Sequence, residues 1–523
     1  MSKYLYGAAV QGIQGFIFQT NKLQEIVGAS ELVEEICTDF FKEQVGEKFK
    51  DENLVLGAAG NIKYIFESKE ECEVFVRHFP KEVMEKAPGI TISQAVVKYE
   101  EGKLNDSLQD LEDKLREQRN KISIPYEVGF MGTERSRRTG GVAYKARKKR
   151  KGDFEYIDEA THLKRKKGDP YYSEKYADED KETLFRKISG LETKDYDVKK
   201  DLIFDIDEIK SSWIAVIHAD GNGLGSIIQN LNKSFKEKNK SDEEVKKGFK
   251  RFSQALDNAT KAAARDAVNK TVKTQKKEGV PYPIRPIILG GDDLTVIIRA
   301  DLAFDFTKHF LQAFEETSNE ELKFLTTDFG LSDFKDGITA CAGIAYVKSS
   351  YPFHYAVDLA EKLCTDAKNF VKGKTKEYEN HHPEMNGLIP KSALAFFKVQ
   401  DSFIEDSLND MKNRVLKNEN IDFRYGPYLV SKKDEGMDFA HISELEEKLN
   451  DVEEQGQKAD KGESNGISKL RQWATEVFRD TATADFFLER MESVNGKFYN
   501  KFKPKEIKNG KSIVYDVIQL NTF

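Results

Sequence analysis

The sequence predicts an α+β protein in which a module with the ferredoxin-like order of elements, βαββαβ, occurs twice. Strand-like apolar runs alternate with helical patterns in the same order in two parts of the chain. A basic segment separates these copies, and mostly helical patterns follow the second copy. We therefore expect four parts, at residues 1–103, 104–210, 211–375 and 376–523.

In the first copy, the small-residue hairpin tip Gly57-Ala58-Ala59-Gly60 contains no carboxylate, and the first strand leads to Gln11 and Gln14 rather than to an aspartate. We therefore expect this copy to bind no metal ion. Its predicted elements are a strand at 4–10, a helix at 22–49, a hairpin at 53–66, a helix at 69–86 and a strand at 90–97.

The second copy repeats this order, which indicates an internal duplication. Its predicted elements are a strand at 212–218, a helix around 247–270, a hairpin at 284–298, a helix at 301–317, a strand at 337–347 and a helix at 353–372. Beyond it, amphipathic helices are predicted at 392–403, 404–416, 442–452 and 467–478.

The hairpin of the second copy has the tip Gly290-Gly291-Asp292-Asp293 between two β-branched apolar runs. The glycines permit positive φ and let a phosphate approach the backbone. Adjacent carboxylates repel each other unless a cation lies between them, so the tip suggests a divalent metal. The alternative is a solvent-exposed acidic turn, since Asp and Gly are common turn residues.

A second stretch places another carboxylate at a strand end. An apolar run at 213–219 ends in Asp220, and Gly221, Asn222 and Gly223 lead into a helical pattern. Three carboxylates brought together suit a phosphoryl-transfer site in which two metals roughly 3.5–4 Å apart clamp the attacking and leaving oxygens. Backbone amides of the glycine-rich turn would hold phosphate oxygens.

These motifs resemble the palm domain shared by nucleic-acid polymerases, GGDEF-type nucleotide cyclases and the Cas10/Cmr2 subunits of type III CRISPR systems. The Gly-Gly-Asp-Asp form is most similar to Cas10/Cmr2. The segment from Gly12 to Ile17, followed by Gly28-Ala29-Ser30, resembles the opening of that family's first palm. The resemblance implies two facing palms with two ATP molecules between them, and Ser30 beside one nucleotide.

On the last helix of the second copy, Asp366-Ala367-Lys368 resembles the Ala-Lys element of these palms, whose lysine meets the triphosphate. The alternative is an ordinary exposed lysine. Gly343 on the preceding strand would leave room for a base. The resemblance thus implies Mg²⁺ or Mn²⁺ ligands, which are also the catalytic residues, at Asp220, Asp292 and Asp293, and nucleotide contacts at Gly221, Asn222, Gly223, Gly290, Gly291, Lys368 and Ser30.

The composition fits a soluble globular protein of three or four domains, because 33% of its 523 residues are charged and 39% are hydrophobic. No apolar run is long enough to cross a bilayer, and the N-terminus lacks the pattern of a signal peptide. The four cysteines form no CxxC pair, so we expect neither disulfides nor a cysteine zinc site, and a cytoplasmic location.

The segment from Arg135 to Lys167 is basic, with few acids between its cations, which suggests contact with RNA or DNA phosphates. The alternative is solvated surface, and the net charge of −7 argues against nucleic-acid binding by the whole protein. Relatives in the resembled family often carry a zinc knuckle here, but Ser136 and Arg137 stand where the resemblance implies cysteines, so no zinc site is expected. The sequence contains no His-Asp dipeptide, so the HD nuclease of many Cas10 proteins is not expected.

The resemblance implies a nucleotidyltransferase that makes cyclic oligoadenylate-type messengers from ATP in antiviral defence, with two divalent metals. It also implies partners among other type III CRISPR subunits, or a second copy of the chain. Two alternatives remain open at this point. The same site could join ATP to another acceptor or make a different cyclic nucleotide, or the chain could be a catalytically silent structural subunit of an RNA-guided complex.

Overall fold

The computed structural model describes residues 3–58, 60–121, 131–148, 154–169, 183–330, 337–381, 389–400, 407–431, 440–459 and 466–523. The strands are β1 (Lys3–Gln11), β2 (Leu54–Ala58), β3 (Asn61–Phe66), β4 (Thr91–Tyr99), β5 (Lys145–Lys148), β6 (Phe154–Ile157), β7 (Trp213–Gly221), β8 (Ile284–Gly290), β9 (Asp293–Arg299), β10 (Ala340–Lys348), β11 (Ala393–Lys398) and β12 (Tyr428–Leu429).

The α-helices of the described residues vary from four residues to 29. They span Ile13–Ile17, Leu23–Cys37, Asp39–Val45, Lys69–Lys86, Leu104–Arg119, Glu159–Gly168, Leu184–Ser189, Val198–Asp201, Leu224–Glu237, Asp242–Ala267, Ala300–Glu321, Lys323–Thr327, Phe353–His381, Leu408–Leu416, Ile442–Ala459, Gly466–Glu476, Thr481–Val494, Gly496–Phe502 and Val514–Leu520. None of these helices combines the length and the apolar character that a membrane span requires.

The first copy forms a four-stranded antiparallel sheet in the order β2-β3-β1-β4, which confirms the predicted ferredoxin-like layout. β1 lies at its centre, so its middle residues are buried. Aromatic rings fill the space between this sheet and the helices on it: the rings of Tyr6 and Phe75 are 5.2 Å apart, and those of Phe75 and Phe79 are 4.8 Å apart.

The second copy repeats the same strand order, β10-β7-β9-β8, within a six-stranded sheet. β11 pairs in parallel with β10, and β12 pairs with β11. The prediction of an amphipathic helix at 392–403 is wrong, because Ala393–Lys398 is β11. All six residues of β11 are buried, and a strand covered on both faces shows no alternation that would distinguish it from a buried helix.

This sheet therefore continues beyond residue 375. The limits of the C-terminal domain at 376–523 stay a prediction, although that part is otherwise largely helical. The Phe353–His381 helix lies directly on β10: a Cβ atom at Gly343 would lie 2.0 Å from the carbonyl oxygen of Ala360. The space at Gly343 is thus occupied by the helix, and the prediction that it leaves room for a base is wrong.

The two copies contact each other directly. Asp242, at the start of its helix in the second copy, accepts hydrogen bonds from the hydroxyl of Tyr99 at 2.5 Å and from the backbone amide of Leu104 at 3.0 Å. The hydroxyl of Ser30 donates to the carbonyl oxygen of Ile287 on β8. Because β8 carries the acidic hairpin, the first copy braces the strand next to the candidate site.

Candidate active site

The ferredoxin-like strand order brings the three aspartates together. β7 and β9 are antiparallel neighbours, so the end of β7 lies beside the start of β9. β7 delivers Asp220, and the β8–β9 hairpin delivers Asp292 and Asp293. One carboxylate oxygen from each of the three residues lies within 4.8 Å of the other two. The predicted cluster therefore forms in the described structure.

This cluster suits hard divalent cations. Carboxylate oxygens are the ligands that Mg²⁺ and Mn²⁺ prefer. All three residues keep part of their surface exposed, which gives a cation and its waters access from solvent. A set of three carboxylates from two strand ends is also compact enough to be shared by two cations at the spacing of two-metal sites.

The protein environment disfavours the ionised cluster when no cation is bound. Burial, followed by the charge of Asp220, raises the pKa of Asp292 from 3.8 to about 6. The same two causes, with the further charge of Asp292, raise the pKa of Asp293 to about 8. A bound cation would offset both the burial and the repulsion and would favour the ionised carboxylates.

Lys368 lies against the cluster. Its ammonium contacts Oδ2 of Asp220 and donates to the carbonyl oxygen of Gly221 at 2.9 Å. Burial opposes the charged ammonium, but the carboxylate of Asp220 outweighs that effect, so the pKa of Lys368 is raised. Lys368, the predicted phosphate ligand, therefore forms an ion pair with Asp220, a predicted metal ligand.

The turn after β7 is fixed by close contacts. A Cβ atom at Gly221 would lie 2.7 Å from Oδ2 of Asp292, so only glycine allows this approach. Gly223 has a φ of 79° and precedes the Leu224–Glu237 helix. The fully buried side chain of Asn222 donates to Oγ1 of Thr339 at 2.9 Å. Asn222 therefore anchors the turn, and its contact with nucleotide stays a prediction.

The acidic hairpin is supported from a neighbouring helix. Gly291, the first of the two loop residues, has a φ of 61°. Its carbonyl oxygen accepts a hydrogen bond of 2.5 Å from the hydroxyl of Thr260. Thr260 is fully buried in the Asp242–Ala267 helix. The sequence alone does not indicate this contact, because a threonine on a helix gives no local signal of a partner 31 positions away. A Cβ atom at Gly290 would meet open space.

Ser30 lies at the interface between the two copies. Ser30 is 9% exposed, and its hydroxyl donates to the carbonyl oxygen of Ile287, at the point where the register of β8 and β9 shifts. The hydroxyl oxygen can still accept a hydrogen bond, so its predicted nucleotide contact stays a prediction.

His218 on β7 is buried, and its Nδ1 lies 3.0 Å from Oγ1 of Thr295; burial lowers the pKa of this histidine. This histidine is packed against the next strand.

Part of the basic segment is used inside the protein. Arg165 donates to Oε1 of Glu25 at 2.6 Å, and Arg138 donates to the same oxygen at 3.0 Å. Lys164 is 2% exposed and donates to the carbonyl oxygen of Phe16 at 2.7 Å, while burial lowers its pKa to about 8. The predicted phosphate contact is therefore wrong for Lys164 and Arg165, which are buried, whereas Arg138 is exposed. Lys149, Arg150 and Lys151 lie outside the described residues.

The turn in the place of a zinc knuckle is held by hydrogen bonds instead. Asp158 accepts from the hydroxyl of Thr139 and from the backbone amide of Thr161, the latter at 2.7 Å. The backbone amide of Ser136 donates to the carbonyl oxygen of Gly141 at 2.9 Å. The side chains at this turn are hydroxyls and a carboxylate rather than thiolates, so the donor set does not fit a structural zinc ion.

Comparison with known proteins is informative for the second copy. Residues 213–376 match the family model described as the second palm domain of Cas10/Cmr2. None of the curated proteins compared with this sequence matches it.

Among solved structures, the chain is similar to a Csm1–Csm4 cassette in complex with cA4 (14% identity, TM-score 0.46), over 70% of this chain and 53% of that chain. It is also similar to a Csm1–Csm4 cassette in complex with pppApApA (12% identity, TM-score 0.45), over 100% of this chain and 70% of the other. The first of these matches thus spans about half the length of the solved chain. The family match and the strand order together identify residues 213–376 as a palm domain of the Cas10/Cmr2 type.

Proposed function

We propose that the chain is a nucleotidyltransferase that joins ATP molecules at a site where Asp220, Asp292 and Asp293 hold two Mg²⁺ or Mn²⁺ ions. One observation carries this proposal: three carboxylates meet within 4.8 Å in a domain of the Cas10/Cmr2 palm type. Burial, and then the charge of Asp220, raise the pKa values of Asp292 and Asp293, so the ionised cluster is disfavoured without a cation. Such a cluster is explained by a cationic ligand rather than by stability.

The proposed reaction is transfer of an adenylyl group. The 3′-hydroxyl oxygen of one ATP forms a bond to the α-phosphorus of another, the bond from that phosphorus to the bridging oxygen breaks, and pyrophosphate leaves. When bound, the two cations would polarise the attacking hydroxyl and neutralise charge on the leaving oxygen.

The surrounding residues position the nucleotide. Lys368 exchanges its ion pair with Asp220 for a contact with the triphosphate, since an ammonium binds phosphate as a strong point charge. The Leu224–Glu237 helix begins directly after the turn from Gly221 to Gly223, and the backbone amides of its first turn would hold phosphate oxygens. The amide of Asn222 is already used, since it donates to the carbonyl oxygen of Thr339 at 2.7 Å. Gly290 and Gly291 leave the hairpin backbone open to a phosphate. Ser30, which lies in the first copy, contacts the second nucleotide.

We further propose that the product is a cyclic oligoadenylate that signals in antiviral defence, and that the chain acts with other type III CRISPR subunits or with a second copy of itself. A cytoplasmic location accords with the four cysteines, all of which are free and buried.

Two other functions are separated from this one by experiment. A palm that joins ATP to another acceptor, or makes a different cyclic nucleotide, would use the same three aspartates but give another product. A silent structural subunit would show no turnover. The presence of all three aspartates argues against a catalytically silent subunit. The first copy has the same strand order without a carboxylate at its hairpin tip, so the fold does not need the aspartates.

The test is incubation of the purified chain with each NTP and Mn²⁺, followed by mass spectrometry. We expect adenylate oligomers and pyrophosphate from ATP, and none from the variant with Asp292→Asn and Asp293→Asn. A product joined to another acceptor would support the second function. No product from any NTP, in the presence of complementary target RNA and partner subunits, would overturn the proposal.

A further inference from the structure

The hairpin tip that carries two of the three aspartates has a backbone with little stiffness of its own. Two glycines, Gly290 and Gly291, stand directly before Asp292, and Gly291 has a φ of 61°. Glycine is the residue with the greatest backbone freedom, and a Cβ atom at Gly290 would meet open space. A fixed position of Asp292 therefore requires a contact from outside the hairpin.

Thr260 supplies this contact at the peptide group that precedes Asp292. Its hydroxyl donates to the carbonyl oxygen of Gly291 at 2.5 Å. This oxygen belongs to the peptide unit that joins Gly291 to Asp292, and a peptide unit is planar and rigid. Fixing the oxygen therefore also fixes the backbone nitrogen of Asp292, and with it the point from which the side chain of Asp292 starts.

The hydroxyl of Thr260 is turned away from its usual partner. A threonine within a helix commonly donates to the carbonyl oxygen four residues earlier. Thr307 and Thr375, which are also buried on helices, do so at 2.7 and 2.8 Å. From Thr260 the corresponding distance, to the carbonyl oxygen of Leu256, is 3.0 Å. Because a hydroxyl has one proton and the oxygen of Gly291 is nearer, this proton serves the hairpin.

The helix that carries Thr260 is a rigid support. Thr260 is 0% exposed within the Asp242–Ala267 helix, which is 26 residues long. The carbonyl oxygen of the preceding residue, Ala259, accepts a hydrogen bond of 3.1 Å from the hydroxyl of Thr317 on the Ala300–Glu321 helix. A side chain on a helix packed in this way positions its partner more precisely than a loop residue does.

Asp292 is also confined from the opposite strand. A Cβ atom at Gly221 would lie 2.8 Å from Cβ of Asp292, so the turn after Asp220 lies directly against this side chain. Asp292 is thus held between the hydrogen bond from Thr260 and the turn at Gly221. These two contacts set the spacing between the carboxylates of the two strands.

We propose that Thr260 is a positioning residue of the aspartate cluster, whose hydrogen bond holds Asp292, and through it Asp293, at the spacing that divalent cations need. This inference rests on the proposed function, because it assigns Thr260 a role in metal binding at that site. Thr260 is fully buried, so it acts through the peptide group between Gly291 and Asp292 rather than by touching a cation or a nucleotide.

The test compares three variants of the full chain. Thr260→Val keeps the shape of the side chain and removes the donor, whereas Thr260→Ser keeps the hydroxyl. Thr307→Val is the matched control, because Thr307 is also 0% exposed and, within the described residues, its hydroxyl donates only to Ala303 of its own helix. Both valine variants lose a buried hydrogen bond, so a general loss of stability is common to them.

Three measurements report the role of Thr260. Hydrogen exchange of the amides of residues 290–293, without metal, should be faster in Thr260→Val than in wild type. Calorimetry without nucleotide should show Mn²⁺ binding weaker by about tenfold or more, the usual effect of removing a group that orients a metal ligand. With ATP, kcat should fall while KM hardly changes, since no contact with the nucleotide is lost. Thr260→Ser and Thr307→Val should match the wild type in all three measurements.

Wild-type exchange, Mn²⁺ affinity and kcat in Thr260→Val would overturn the inference. Equal losses in Thr307→Val would also overturn it, because the effect would then be one of general packing. Failure of Thr260→Ser to restore the wild-type values would assign the effect to the methyl group and not to the hydrogen bond. A wild type that binds no Mn²⁺ would overturn the nucleotidyltransferase proposal and this inference with it, whereas wild-type Mn²⁺ binding that Thr260→Val leaves unchanged would overturn this inference alone.

Discussion

Replacing Asp292 and Asp293 with Asn should stabilise the metal-free protein while abolishing turnover. The folded protein raises the pKa of Asp292 to about 6 and that of Asp293 to about 8, from 3.8. One pKa unit corresponds to about 1.4 kcal/mol, so ionising Asp292 alone costs the folded state at most about 3 kcal/mol. Because the carboxylates remain partly exposed, we expect a gain of about 1–3 kcal/mol at neutral pH.

The sign of the pH dependence follows from the raised pKa values. The folded protein holds the protons of Asp292 and Asp293 more tightly than the unfolded chain does. The protonated carboxyls therefore contribute fully to the free energy of unfolding below pH 3.8, and this contribution is lost as pH rises towards about 8. Metal-free wild type should therefore lose stability relative to the double variant between about pH 4 and pH 8. Addition of Mg²⁺ should stabilise the wild type and leave the variant unchanged, because the variant lacks the ligand charges.

The assay is urea unfolding across this pH range with and without Mg²⁺, with Asp110→Asn as the control. Asp110 is exposed on the Leu104–Arg119 helix, away from the cluster. Equal or lower stability of the double variant at pH 8, or stabilisation of that variant by Mg²⁺, would refute the reasoning. Retained turnover would remove the proposed catalytic role.

Three further predictions concern the surroundings of the cluster. Without nucleotide, the Lys368→Gln variant should bind Mn²⁺ several-fold more tightly than wild type, because the ammonium that contacts Asp220 is removed. The same variant should bind ATP more weakly. Titration calorimetry measures both affinities. Gly221→Ala should lower kcat by at least about tenfold with little change in overall helicity, since its Cβ atom would lie 2.7 Å from an oxygen of Asp292. Ser30→Arg should raise the ATP concentration needed for turnover, because a long cation must enter a 9% exposed position between the copies.

Controls and contrary results differ for each change. Lys362→Gln is the control for Lys368→Gln, because the ion pair of Lys362 with Asp358 lies elsewhere on the same helix. Unchanged or weaker Mn²⁺ binding by the Lys368 variant would contradict the first prediction. Normal kcat in the Gly221 variant would show that the turn tolerates displacement. An unchanged ATP requirement in the Ser30 variant would mean that the first copy is only a scaffold.

The aspartate cluster was predictable because each of its members ends or begins a strand. Apolar runs identify the strands, and the ferredoxin-like order then makes β7 and β9 neighbours, which places Asp220 beside Asp292. The repeated order also gave the layout of the first copy. These inferences need only local periodicity and one topological rule.

The contacts that complete the site were not predictable in this way. Ser30 and Ile287 are 257 positions apart, and Thr260 lies on a helix whose pattern records only that its position is buried. β11 was mistaken for a helix because an apolar run buried on both faces carries no period. Likewise, a count of basic residues cannot distinguish Arg165, which is buried against Glu25, from an exposed cation such as Arg147.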